Sequence, residues 1–148
     1  MWQPSQKALI HESIGVYSTQ RFELRIKGEL KIENDMIIDF KNIEESVTPH
    51  FKGGEGETRT RSFFDGLNKI MQGHLDVGCS IGYHKHETNS EVILITSGVA
   101  RCLYDDGEER LTAGDCHYCP KGHSHSLINA SDKEPLEYFA IVPEHNKC

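Results

Sequence analysis

The chain has 148 residues, a formal net charge of −7 and a sequence pI near 5.7. That length supports a single domain with its own core, and the acidic balance argues against a broad phosphate-binding surface, so nucleic acid is not an expected partner. No run approaches the roughly 18 apolar residues of a membrane span, and the opening MWQPSQKALIHESIG lacks the charged-then-apolar layout of a signal peptide, so no membrane contact is expected and the cytoplasm is the expected compartment.

In chain order, Phe22, Leu24 and Ile26 alternate with Arg21, Glu23, Arg25 and Lys27, and Leu30 and Ile32 continue the beat of a half-buried strand. Ile37, Ile38 and Phe40 form a second short apolar run. Residues 1–57 therefore read as an extension carrying one or two strands that pack on their own sheet or a partner's, and the need of Phe22 to Ile32 for a pairing edge predicts a homodimer. Lys52 to Glu57 contains Gly53, Gly54 and Gly56 but lacks the Lys-Ser/Thr pair and following helix of a phosphate loop, so it reads as a turn near a barrel mouth.

Residues 58–148 read as one β domain. Short β-type runs cover Arg59 to Phe64, Lys69 to Asp76, Ser80 to His86, Glu91 to Thr96, Val99 to Tyr104, Glu109 to Leu111, Asp115 to Cys119, His125 to Asn129 and Leu136 to Val142. Turn formers separate them: Ser97 with Gly98, Asp105 and Asp106 with Gly107, and Ala113 with Gly114, each pair or triplet placing glycine where positive φ is cheap. Antiparallel connectivity follows. Five cysteines, with no secretion signal, read as reduced thiols, and Cys116 and Cys119, three apart on a strand, face opposite sides.

His84 and His86, two apart on one strand, share a face and can grip one ion. Glu91 would fall on the wrong face of a continuous strand, but Thr88, Asn89 and Ser90 are turn formers that let the chain restart with Glu91 inward. His125 must then arrive from a strand distant in sequence. Three imidazoles and one carboxylate make a metal site of mixed nitrogen and oxygen donors, suited to a divalent transition metal (iron, manganese, nickel, cobalt or zinc) rather than calcium or magnesium.

The residues Gly78, His84, His86, Glu91 and Gly98, and then Gly114, Pro120, Gly122, His125 and Asn129, stand at intervals that resemble both conserved motifs of the cupin superfamily, matched at all ten positions. The resemblance implies an all-β fold, a double-stranded β-helix or jelly-roll barrel, holding one divalent metal on His84, His86, Glu91 and His125. It spans dioxygenases, decarboxylases, lyases, isomerases, storage proteins and ligand-sensing modules, so it does not choose an activity. A net charge of +1 on a divalent ion so ligated favours a small oxygen-rich anion, an oxo acid, dicarboxylate or enolisable carbonyl compound, handled by dioxygenase or decarboxylase, lyase or isomerase chemistry. The alternative is a non-catalytic module that holds or senses a small metabolite through its metal.

Tyr83, Tyr104, Tyr118 and Tyr138 lie on predicted strands and could donate a phenol to a bound oxyanion or simply fill a sheet face. Arg59 and Arg61 alternate with Phe63; if that face is interior, Arg61 is a clamp for a carboxylate, and otherwise it is solvated. His117 could approach the site as a proton carrier, His123 sits in a turn, and His11, His50, His74 and His145 read as surface residues. Pro120 and Gly122 turn the chain so that His125 re-enters at the depth of the other ligands, and Asn129 is expected to bond backbone.

Overall fold

Alternating short runs with glycine turns produce ten antiparallel strands in the computed structural model, which describes residues 37–145. They are β1 (Ser46–Pro49), β2 (Glu57–Phe64), β3 (Asn68–Leu75), β4 (Ser80–Lys85), β5 (Glu91–Ser97), β6 (Val99–Tyr104), β7 (Gly107–Thr112), β8 (Cys116–Cys119), β9 (Ser124–Asn129) and β10 (Leu136–Pro143). Every run expected from Arg59 onward is present. β1 is an addition: Ser46-Val47-Thr48-Pro49 has no apolar beat, and it sits at a sheet edge, where its terminal proline is tolerated. The strand expected over Phe22 to Ile32 lies outside the described residues.

Two sheets are formed, with strand orders β1-β2-β3-β10-β5-β8 and β4-β9-β6-β7. From β3 onward the chain passes repeatedly between them, so each crossing turn can carry a residue of one sheet toward the other. This is the double-sheet jelly-roll arrangement of the cupin type. The core is made by inward-facing side chains at period two. On β5 these are Ile93 and Ile95, joined by Leu75 on β3, Leu127 on β9 and Leu136 and Ala140 on β10. Truncating one of the large members to alanine costs about 2–5 kcal/mol. Glu91 falls on the same face of β5 as Ile93 and Ile95, so the loop between His86 and Glu91 does reset the facing.

The glycine-rich segment is a tight 3-10 turn, Phe51–Gly53, laid against β4. A Cβ at Gly54 would stand 2.0 Å from the Ser80 carbonyl oxygen, and one at Gly82 would stand 2.1 Å from that of Lys52. Two backbones meet there, which explains glycine on both sides better than any ligand does. In the turns, Gly98 and Gly114 take positive φ, but between β6 and β7 it is Asp105 (φ 39°) that does so. Gly107 instead makes room for the ring of Tyr104.

Cys79, Cys102, Cys116 and Cys119 are free thiols, with Cys116 exposed and Cys119 buried on opposite faces of β8. Burial pushes Cys119 up to about 11 and Cys102 up to about 12, so neither is a thiolate near neutral pH. No helix among the described residues is long and apolar enough to cross a membrane.

Candidate metal centre

β4 and β9 pair so that His84 stands directly opposite His125. The two residues are distant in sequence but are cross-strand neighbours in one sheet. His86 follows the last residue of β4 and is tied by backbone to the turn that precedes β9: its N–H donates to the His123 carbonyl at 2.9 Å, and its carbonyl accepts from Gly122 N–H at 2.7 Å. The Pro120–Gly122 turn thus sets His86 and His125 against each other. Glu91 comes from the facing sheet as the first residue of β5.

The three imidazole centroids lie 4.9 Å from one another, an equilateral arrangement. Glu91 Oε2 is 3.2 Å from His86 Nε2 and 2.9 Å from His125 Nε2, and the two Nε2 atoms are 2.9 Å apart. One donor atom from each of His84, His86, Glu91 and His125 falls within 4.8 Å of all the others. His125 is 1% exposed, and His86 and Glu91 are also buried.

Each ring is oriented by its other nitrogen. His84 Nδ1–H donates to the Gly82 carbonyl at 2.9 Å, and His86 Nδ1–H to Asn89 Oδ1 at 2.6 Å, with Asn89 held in turn by donating Nδ2–H to Glu144 at 2.7 Å. His125 Nδ1 faces His117 Nε2 at 3.1 Å, and His117 Nδ1 faces Glu109 Oε2 at 3.0 Å. With Glu109 as the terminal acceptor, His117 Nδ1–H donates to its carboxylate and His125 Nδ1–H donates to His117 Nε2, which leaves His125 Nε2 a lone pair. Three nitrogen lone pairs and a carboxylate then converge with no donor among them. Only a cation satisfies such a set, and mixed nitrogen and oxygen donors with outer hydrogen-bond partners suit a divalent transition metal. The residues fit the group.

The electrostatics agree. Burial pushes the Glu91 carboxyl up, but the His125 and His86 imidazoles set against it outweigh that and hold the group at about 2. Burial lowers His84, favouring the neutral imidazole a metal requires. Burial also lowers His86, yet its bonds to Glu91 and Asn89 raise it on balance, so protons compete with a metal there. Cys102, His117 and His125 form a second close group, but the Cys102 thiol is held protonated by burial, and the His117–His125 contact is already a hydrogen bond.

His84, His86 and Glu91 open into a cavity of about 620 Å³. Tyr138 lines it and is buried, with its phenol pushed above its usual range by that burial. Tyr83 and Tyr118 are exposed, 51% and 57%, and are absent from the lining; the Tyr83 hydroxyl donates to the Asp105 carbonyl. Tyr104 packs against His117, with ring centroids 6.0 Å apart. Arg61 bonds the Ile43 carbonyl and pairs with Glu45 at 3.6 Å, on the face of β2 turned away from the cavity. His117 is buried behind His125 rather than in the cavity. His123 is exposed against Asp105, and Asn129 Nδ2 donates to the Leu75 and Glu134 carbonyls.

The cavity also shows lysines at its mouth, Lys52, Lys69 and Lys85, and a row of hydroxyls on β1 and β2 that the sequence reading did not single out. A signal was present. Thr58, Thr60 and Ser62 alternate with Arg59, Arg61 and Phe63, and the face that lines the cavity is the quieter of the two.

A family model described as the cupin domain matches residues 71–142. An oxalate-binding protein of Thermotoga maritima is 27% identical over 122 residues, covering 76% of this chain and 98% of that protein. A structure described as a predicted oxalate decarboxylase from Thermotoga maritima superposes with a TM-score of 0.68 at 24% identity, over 74% of this chain and 99% of that one. A sugar phosphate isomerase of Silicibacter pomeroyi gives a TM-score of 0.59 at 21% identity, over 73% and 75% of the two chains. With both motifs in place around one His and Glu cluster, residues 71–142 of this chain are a cupin domain.

Proposed function

We propose that this chain holds a divalent transition metal on His84, His86, Glu91 and His125 and binds a small oxygen-rich anion, a dicarboxylate or oxo acid, as a chelating ligand of that metal. The observation that carries the reading is the convergence of four acceptors, with no donor among them, at the floor of a cavity whose mouth bears Lys52, Lys69 and Lys85. The likeness to an oxalate-binding protein supports a dicarboxylate.

When bound, a metal of this kind supplies Lewis-acid polarisation of a chelated carboxylate or carbonyl. The chain's own residues do the rest. The three lysines outnumber Glu87 at the mouth and draw an anion inward. Tyr138 keeps its proton and can donate it in a hydrogen bond to a bound oxygen. The core behind β5 and β10 excludes water from one side of the site.

Decarboxylase, lyase, isomerase or dioxygenase chemistry is the leading form of this proposal. The non-catalytic alternative draws on one observation: among the described residues lining the cavity, Glu87 at the mouth is the carboxylate not committed to the cluster, and Tyr138 is too weak an acid to act as a base. Incubating metal-loaded protein with oxalate and with oxo acids decides between them. Product or oxygen uptake supports the enzyme, tight retention of unchanged ligand supports the module, and no metal-dependent binding at all defeats both.

The same reading extends to the whole chain. Residues 1–57 are an extension to a β domain of residues 58–148, the protein is a homodimer, and free thiols at four described cysteines fit the reducing cytoplasm. Sedimentation before and after deletion of residues 1–45 tests the dimer: loss of the dimer on deletion supports exchange through the extension, and an unchanged state removes it.

A further inference from the structure

Ser46, Thr48, Thr58, Thr60 and Ser62 all line the cavity. Register puts Ser46 opposite Thr60 and Thr48 opposite Thr58, and alternation along β2 adds Ser62 to the same face, so the five form one continuous hydroxyl surface. The inward face of a two-sheet fold is ordinarily apolar. Along this row Thr58 is 3% exposed, Thr48, Thr60 and Ser62 are half-buried, and Ser46 at the sheet edge is exposed.

The Thr58 hydroxyl is buried and has no hydrogen-bond partner among the described residues. That oxygen is sealed from solvent, so the hydroxyls a ligand can reach are those of the half-buried Thr48, Thr60 and Ser62 on the same wall. The neighbouring row is shaped to match. Thr60 pairs across β2 and β3 with Gly73, and Gly73 pairs with Tyr138 on β10. A Cβ at Gly73 would stand 2.0 Å from Tyr138 Cζ, so glycine is what lets the phenol lie over this wall beside the hydroxyls.

The size of the cavity points the same way. At about 620 Å³ the cavity, open at its mouth, is in the range that takes ligands much larger than a two-carbon dianion of six heavy atoms. Resting on the metal reading above, we infer that the ligand is a polyhydroxylated carboxylate of about five or six carbons, its carboxylate end chelated at the His and Glu cluster and its hydroxyl-bearing tail laid along Thr48, Thr60 and Ser62. Each hydroxyl of such a tail both donates and accepts, which is the chemistry a serine and threonine wall returns.

The test is calorimetric titration of the manganese-loaded full chain with gluconate, glycolate and oxalate. Gluconate and glycolate share an α-hydroxycarboxylate head and differ in the tail. Gluconate is expected to bind about tenfold more tightly than glycolate, the worth of one or two net hydrogen bonds. Thr60→Val and Ser62→Ala, each checked for metal content and melting temperature, are expected to reduce that ratio severalfold. Equal affinities in the wild type, or a ratio untouched in both variants, overturn the tail assignment while oxalate binding leaves the metal reading standing. Failure of all three to bind protein shown to carry metal overturns both.

Discussion

The two walls of the cavity are polar in opposite ways. On the wall built by β4, β9 and the start of β5, the four cluster side chains are committed: each imidazole is oriented by an outer partner, and Glu91 lies within 3.2 Å of two rings. On the wall built by β1 and β2 stands a row of small hydroxyls, of which that of Thr58 has no partner among the described residues. The first is preorganised to hold something small with strict geometry, and the second is a surface that adapts to whatever is held. On the proposed reading, ion binding and ligand binding thus draw on different strands, β4, β9 and the start of β5 against β1 and β2, and can be broken separately.

The largest effect is expected on the committed wall. Glu91→Gln keeps the shape but removes the charge, and metal affinity should fall by at least about 100-fold, beyond the 10- to 100-fold range of outer partners; competition against a chromophoric chelator measures it. His117→Ala removes the acceptor that fixes the His125 ring, and the same assay should show a loss of about 10- to 100-fold. An unchanged affinity there would mean that packing alone sets the ring. On the uncommitted wall the sign reverses. Thr58→Val deletes a buried hydroxyl that bonds nothing, so the melting temperature of the ligand-free protein should stay level or rise, and a fall would show a bond to that hydroxyl.

The smallest effect lies outside both walls and serves as a control. Burial lowers the His74 pKa, but Asp76 and Glu137, at 3.0 and 2.5 Å, raise it on balance. A raised folded-state pKa means stability that is complete below the unfolded value of about 6.5 and is lost as pH climbs through the folded value. Denaturation curves should therefore show the wild type losing more stability than His74→Gln above about pH 6.5, with metal content alike in both. Parallel pH profiles would contradict the assignment.

What was legible in the sequence follows the same division. Strand parity and a turn at Thr88 to Ser90 suffice to bring His84, His86 and Glu91 together, because both are local properties of the chain. That His125 lies opposite His84, and that Tyr138 rather than Tyr83 or Tyr118 faces the cavity, depends on register between strands far apart in sequence. Arg59 and Arg61 drew attention on β2 because charge is conspicuous, yet the alternate face carries the hydroxyls. β1 was invisible because its four residues have no apolar rhythm and are held by pairing to β2 alone. At Asp105 the neighbouring Gly107 was expected to take the positive φ; the Asp105 carboxylate instead accepts from Ser124 N–H at 3.1 Å and contacts His123 at 2.6 Å, which ties the turn down.

The central claim is that the four converging acceptors hold a transition metal. Elemental analysis of untagged protein, set beside a His84→Ala and His125→Ala double variant of matched folding, tests it directly. The account predicts close to one transition-metal ion per chain in the wild type and none in the variant. Absence of metal from the wild type after loading with manganese, iron, cobalt, nickel and zinc in turn, or equal metal in both proteins, would contradict it.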